Sequence, residues 1–196
     1  MKISRPNEIK SRFFDYLLAS NSVEMAGFKE WLFQPGMLFN SLETWWGERK
    51  PRATPHEGLD LCCFADATGR IKGLDKNINI PATFAGKIVK IDRDFLGKSI
   101  YLSHEIFSED GRQLYTAYGH TKPLASLQVG KIVAAGEIIA AVATGPGKSP
   151  KIPPHLHLTL AWIPVSLPRD RLNWQNLGAD RTIRLIDPRS ILPAPA

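Results

Sequence analysis

The sequence predicts a mainly β fold, an antiparallel sheet rolled on itself with an N-terminal helical element, and three observations lead there. After Gly36 the chain becomes short Val- and Ile-rich runs broken by Gly, Asp, Asn and Pro. The segments AGKIVKI and VGKIVAAGEIIAAV share a Gly-x-Ile rhythm that fits two similar hairpins of a rolled sheet. Before Gly36 the apolar residues instead recur at helical intervals.

In chain order, Ile9, Phe13, Tyr16 and Leu17 predict one short helix, with Asn7 as its cap, and Met25, Phe28, Trp31 and Leu32 predict a second that ends at Pro35-Gly36. Strands are expected over 58–64, 82–91, 99–105, 113–119, 137–143 and 155–162. The turn Glu109-Asp110-Gly111 joins the third and fourth as a hairpin. Residues 144–154, rich in Gly, Pro, Ser and Lys, read as an exposed loop of the kind that borders a site. The implied organisation is a helical extension over 1–45, a β domain over 46–190 and a tail over 191–196.

At 196 residues the chain can bury a core without staples, and 43% hydrophobic with 22% charged residues is a globular composition. Cys62 and Cys63 are adjacent, which excludes a disulfide framework and makes buried thiols in a strand the expectation. The first twenty residues carry a charge every few positions and lack the apolar stretch of about 7 to 15 residues of an export signal. No apolar run approaches the roughly 20 residues of a spanning helix, so the chain reads as water-soluble. The formal charge of +6 favours an acidic partner, but Lys and Arg are scattered and do not choose one.

The five histidines are concentrated: two lie in PHLHL, residues 154–158, and one opens HEGLD, residues 56–60. Residues i and i+2 of a strand share a face, so His155 and His157 can approach one ion while Leu156 and Leu158 point to the core. The same period aligns His56, Gly58 and Asp60, with the missing side chain at Gly58 leaving a gap a metal can fill. His nitrogen and Asp oxygen both bind zinc, and a catalytic site needs three protein ligands and one open position. The helical H-E-x-x-H motif is excluded, because the fifth position is Asp60 and Pro55 and Gly58 oppose a helix. Gly147-Lys148-Ser149 lacks the earlier glycine of a phosphate-binding loop. His104 reads as an ordinary hydrogen-bonded histidine.

Ordered along the chain, PHEGLD, AGKIVKI, YLSHE, LYTAYGH, VAAGEIIAAV and PPHLHLTL resemble the lysostaphin-type, or LytM-like, family of bacterial zinc endopeptidases that cut cell-wall peptide crosslinks. The resemblance runs from about Trp46 to Pro188 and implies a LytM-like β-roll, related to lipoyl- and biotinyl-carrier hairpins. It implies zinc held by His56, Asp60 and His157, with His120 and His155 as the catalytic histidines. Strand period alone leaves open which member of the His155/His157 pair binds the ion. Trp45, Trp46, Tyr115 and Tyr118 are candidates to line the groove or support the site, Tyr118 because it precedes His120 by two positions on a regular strand. The chain departs from the family pattern at Thr54-Pro55 and in GPGKSPKIPP, changes that bear on the groove and not on the ligands.

By that resemblance the partner is a peptidoglycan peptide, with no nucleic acid and no integral membrane segment, and the envelope or periplasm is the implied location. The competing expectation is a silent or latent relative that binds wall peptide or regulates another hydrolase. A carrier module is disfavoured because no lysine lies between paired small or Met residues.

Overall fold

Alternation of apolar and polar side chains at the strand period, interrupted by turn residues, produces thirteen strands and three short helices in a computed structural model that describes residues 2–3, 9–22, 24–144 and 152–192. In chain order these are β1 (Lys2–Ile3), α1 (Phe13–Ser20), β2 (Phe28–Leu32), β3 (Leu59–Leu61), β4 (Cys63–Asp66) and β5 (Ile71–Gly73). There follow β6 (Asn79–Pro81), β7 (Gly86–Arg93), β8 (Lys98–Phe107), β9 (Arg112–Pro123), β10 (Ile132–Val133) and β11 (Ile138–Val142). The chain closes with β12 (Leu156–Pro164), α2 (Trp174–Ala179), β13 (Arg184–Ile186) and α3 (Pro188–Ile191). Asn7, most of the 144–154 loop and residues 193–196 of the tail lie outside the described residues.

The expected mainly β architecture with a short N-terminal helix is present, but the rolled sheet is not. A ten-stranded sheet runs β10-β7-β8-β9-β11-β6 and stays open, its two end strands unpaired with each other. β9 is long enough to serve two partners on one edge: β12 along Arg112–Gly119 and β11 along Thr121–Pro123. At the β6 end the exposed backbone of Asn79 is covered by a side chain instead of a strand. Asn21, just past α1, donates to the Asn79 carbonyl at 3.0 Å and accepts from its N–H at 2.7 Å. A paired edge group has no further bond to offer a neighbour, so the sheet ends there. The two Gly-Lys-Ile-Val segments are not separate hairpins, since β10 pairs with β7, Val133 opposite Gly86.

The second expected helix is also corrected. Residues 28–32 form β2, which pairs with β4 in a separate three-stranded sheet, β2-β4-β5. Gly27 at φ 73° turns the chain out of helical geometry immediately before it. Phe28 and Trp31 then pack on Phe64 at ring-centroid distances of 5.4 and 6.1 Å, and Trp31 meets Phe14 of α1 at 5.7 Å. That aromatic cluster decides the conformation over local helical spacing. Among the described residues no helix is long and apolar enough to cross a membrane. Cys62 is buried, Cys63 half-buried, and both are unpaired.

The β12 strand is buried on both faces over Leu156–Ile163. Leu156, Leu158, Leu160 and Trp162 enter the main core with Phe13, Phe14 and Leu17 of α1. Ala161 and Ile163, on the opposite face, pack with Leu172, Leu177 and Ile183 of the C-terminal segment. His157 lies on this second face, directly opposite Asp60 of β3 and Gly119 of β9.

Candidate metal centre

Pairing of β3 with β12 brings together two motifs separated by about half the chain. The register His157↔Asp60 points both side chains to one face while Leu156↔Leu61 and Leu158↔Leu59 fill the core. His56, four residues before Asp60, is delivered by a segment anchored through two backbone bonds, His56 N–H to Ser41 and Asn40 N–H to His56. The result is a buried group in which ligand atoms of His56, Asp60 and His157 all lie within 4.8 Å of one another.

Three contacts define the centre of this group. His157 Nδ1 lies 2.8 Å from Asp60 Oδ1, His56 Nε2 lies 3.1 Å from His157 Nδ1, and His56 Nε2 lies 3.3 Å from Asp60 Oδ1. Each ligand is also gripped from behind. The Leu38 carbonyl takes the His56 Nδ1–H at 3.0 Å, Thr159 Oγ1 lies 3.0 Å from His157 Nε2, and Trp45 Nε1–H donates to Asp60 Oδ2 at 2.7 Å.

This outer bonding sets the chemistry of the centre. A carbonyl only accepts, so His56 carries its proton on Nδ1 and turns the Nε2 lone pair inward. With the Thr159 hydroxyl accepting from Nε2–H, His157 likewise turns the Nδ1 lone pair inward. Two lone pairs and a carboxylate oxygen then face one another, a repulsive set that either a proton or a cation must relieve. Burial holds the His157 imidazole below its ordinary pKa, against the hydrogen bond to Asp60. Without a cation that relief is a proton on the inward imidazole nitrogens: burial opposes ionisation of Asp60, but hydrogen bonds then donated by His157 and His56 outweigh it and keep the carboxyl well below the usual range. The donor set therefore fits a divalent metal. Tetrahedral ligands at roughly 2.1 Å from an ion stand about 3.4 Å apart, so the three atoms need to part by only a few tenths of an ångström.

Gly58 serves this centre in a different way from the expected one. A Cβ there would lie 2.5 Å from the Leu158 carbonyl oxygen, 2.7 Å from Thr159 Oγ1 and 2.8 Å from His157 Nε2. The space left by the missing side chain is taken by the His157 imidazole and its hydroxyl partner.

His155 and His120 sit beside the cluster. Their rings are 4.7 Å apart, and His155 Nε2 is 3.9 Å from Asp60 Oδ1. His155 donates Nδ1–H to the Pro153 carbonyl at 2.8 Å, which leaves Nε2 as a buried acceptor without a partner. Burial takes its pKa down to about 4. His120 ends the regular part of β9 at φ 62°. Asp94 holds it in that conformation, accepting its backbone N–H at 2.8 Å and placing Oδ1 3.2 Å from Nδ1, off the line of a hydrogen bond. Asp94 also accepts from Ser99 Oγ, whose own oxygen accepts the Trp174 indole N–H, each at 2.7 Å.

A pocket of about 200 Å³ opens onto this group, walled by Trp46, Phe95 and Trp174 with Arg52 and Glu57 at its polar side. Arg52 is tied to the Glu43 and Gly36 carbonyls and lies over the Trp46 ring at 5.2 Å. Trp174 stands edge-on to His157 at 4.7 Å.

The left-handed turn at His120 separates it from Tyr118, which lies on the opposite, core face, its hydroxyl accepting the Thr83 N–H at 2.7 Å. Tyr115 packs with the second cluster, beside Ala117 and Ala161, and neither tyrosine lines the pocket. His104 is fully buried between the Ala85 carbonyl and Thr116 Oγ1. Sequence reading missed Arg52, Asp94, Thr159 and Trp174. Asp94 looks like an ordinary turn residue and no strand spacing ties it, Arg52 or Trp174 to the histidines, whereas Thr159, two positions after His157 on one strand, shares its face and was findable by the same period.

The family model for peptidase family M23 matches residues 55–167, a span that includes His56, Asp60, His120, His155 and His157. No curated protein matches the sequence. Among solved structures, the catalytic domain of the antimicrobial peptidase lysostaphin from Staphylococcus simulans is 21% identical over 74% of this chain and 87% of that one, with a TM-score of 0.41. In the solution structure of lysostaphin the match spans 72% of this chain and 46% of that one, at 21% identity and a TM-score of 0.43. The catalytic domain of a prophage-encoded M23 protein from Enterococcus faecalis is 21% identical over 68% of this chain and 85% of that one, with a TM-score of 0.37. On the match over residues 55–167, more than half its length, the chain belongs to peptidase family M23.

Proposed function

We propose that this protein is a zinc-dependent endopeptidase that hydrolyses peptide bonds in peptidoglycan crosslinks or stem peptides. The observation that carries the reading is the inward convergence of His56 Nε2, Asp60 Oδ1 and His157 Nδ1, each ligand fixed from behind by a separate hydrogen bond. In this reading His56, Asp60 and His157 hold the ion. When bound, zinc supplies a positive charge that polarises a carbonyl and acidifies a water.

The remaining steps belong to side chains of this chain. His155 presents a free Nε2 lone pair next to the cluster and takes the proton of the attacking water. His120, beside the Asp94 carboxylate and bordering the pocket, steadies the oxyanion and returns a proton to the leaving amine. Asp94 positions His120 through the backbone N–H it accepts and keeps a carboxylate oxygen 3.2 Å from Nδ1. Trp46, Phe95 and Trp174 wall the pocket and exclude water from the reacting carbonyl.

Digestion of purified cell wall by zinc-loaded protein, with release of new amino termini, tests the reading. Release that stops on chelation and returns with zinc is expected, and an inert zinc-loaded protein overturns it. One observation favours a second, latent reading: His155 is fully buried, with the Trp45 and Trp46 rings packed on it at 5.1 and 6.0 Å. In that case the protein binds wall peptide and zinc but turns over only after limited proteolysis of the preceding segment.

A further inference from the structure

A second cavity of about 540 Å³ has a cationic polar lining: Lys76, Lys98 and Lys122 border it together with Leu96, Pro123 and Val142. Two chain segments serve both cavities. Phe95 walls the metal pocket while Leu96, Gly97 and Lys98 line the second, and His120 borders the metal pocket while Thr121, Lys122 and Pro123 line the second. The two cavities are thus lined by consecutive residues of the same two segments.

These lysines differ from the others in the chain. Lys29, Lys50, Lys72, Lys90 and Lys131 are each within 4 Å of a carboxylate, and Lys10 donates to the Ser190 carbonyl. Among the described side chains the unpartnered ammonium groups are Lys87 and the three of this cavity. The carboxylate nearest in sequence to Lys98, Asp94, is already committed to His120, Ser99, Leu96 and Gly97. Three like charges collected in one concavity without a counter-charge raise the local potential and draw in anions.

We propose that this cavity is the subsite for an anionic stretch of the peptide substrate, with Lys76, Lys98 and Lys122 selecting peptides whose side-chain carboxylates are free over amidated ones. The inference rests on the peptidase reading and adds to it a substrate class. Exposed lysines act by summed, screened attraction, so selectivity falls as salt rises.

The test uses two synthetic stem peptides, one with free side-chain carboxylates and one amidated, with zinc-loaded full-length protein and a Lys98→Glu/Lys122→Glu variant, at low and high salt. The expected result at low salt is a loss of about tenfold or more in kcat/KM on the free-carboxylate peptide, no change on the amidated one, and a smaller difference at high salt. Equal effects on both peptides, or none on either, overturn the subsite. Lys76→Glu, on a separate segment, reports the same selectivity if the double variant fails to fold. If the unmutated protein cleaves neither peptide, the peptidase reading fails and equilibrium binding decides the subsite. Tighter binding of the free-carboxylate peptide, abolished by charge reversal, sustains it, and equal binding of the two overturns it.

Discussion

Trp45→Phe removes one N–H from behind the metal centre and leaves an aromatic ring in place. The indole donates to Asp60 Oδ2 at 2.7 Å, and both residues are buried, at 7% and 1% exposure. A buried hydrogen bond to a charged acceptor contributes about 1.5 to 3 kcal/mol, and 1.4 kcal/mol is tenfold in an equilibrium constant. Without the donor, Asp60 gains proton affinity and rotational freedom, both of which a metal must overcome. Zinc affinity should therefore fall by about 10- to 100-fold, measured by competition with a chromophoric chelator at fixed pH. Trp46→Phe is the control, since Trp46 packs on His155 and under Arg52 but gives no bond to Asp60. A Trp45→Phe protein that binds zinc within about threefold of the unmutated chain would refute the reasoning that the outer hydrogen bonds hold the ligands in place.

Three further outcomes are expected. Gly58→Ala drives a Cβ against the Leu158 carbonyl and His157, and should cost about 1 to 3 kcal/mol of stability by urea unfolding together with zinc retention; normal stability and zinc content would contradict the close packing. His157→Ala should lose zinc and turnover together, whereas His155→Ala should keep zinc and lose turnover; equal zinc loss in both, by metal analysis, would remove the division of roles. Burial holds His104 at about 4 against an ordinary 6.5, so the unfolded chain binds a proton that the native chain refuses. Its contribution is complete above about pH 6.5 and is lost as pH falls towards 4, reaching about 3 kcal/mol at 1.36 kcal/mol per pH unit. His104→Gln should flatten the stability slope across that window, and an unchanged slope would show that His104 does not titrate there.

The residues that sequence made legible are those governed by local periodicity. HEGLD and PHLHL each declare a face through the two-residue strand period, and the β3 to β12 register then unites those faces. Five of the six predicted strands reappear with shifted ends for the same reason, whereas the first, over 58–64, divides at Cys62 into β3 and β4 of two different sheets. Tertiary contacts overrode the rest. Phe28 and Trp31 have helical spacing but are drawn into β2 by Phe64 and Phe14. Tyr118 shares a face with His120 only if β9 stays regular, and a φ of 62° at His120 breaks that condition. The rolled sheet expected from the two Gly-Lys-Ile-Val segments does not form: β10 and β6 end the sheet unpaired with each other, and the Asn21 side chain bonds the β6 edge at Asn79, a contact that no local pattern announces. Trp174 and Asp94, both at the site, are joined through Ser99, a connection that exists only once β8 and the C-terminal segment are packed.

Anomalous diffraction from crystals grown with zinc, recorded on both sides of the zinc absorption edge, tests the metal centre most directly. A single strong peak at bonding distance from His56 Nε2, Asp60 Oδ1 and His157 Nδ1 is the predicted result. A structure with no peak there, or with zinc held elsewhere while those three atoms keep their direct contacts, would contradict it.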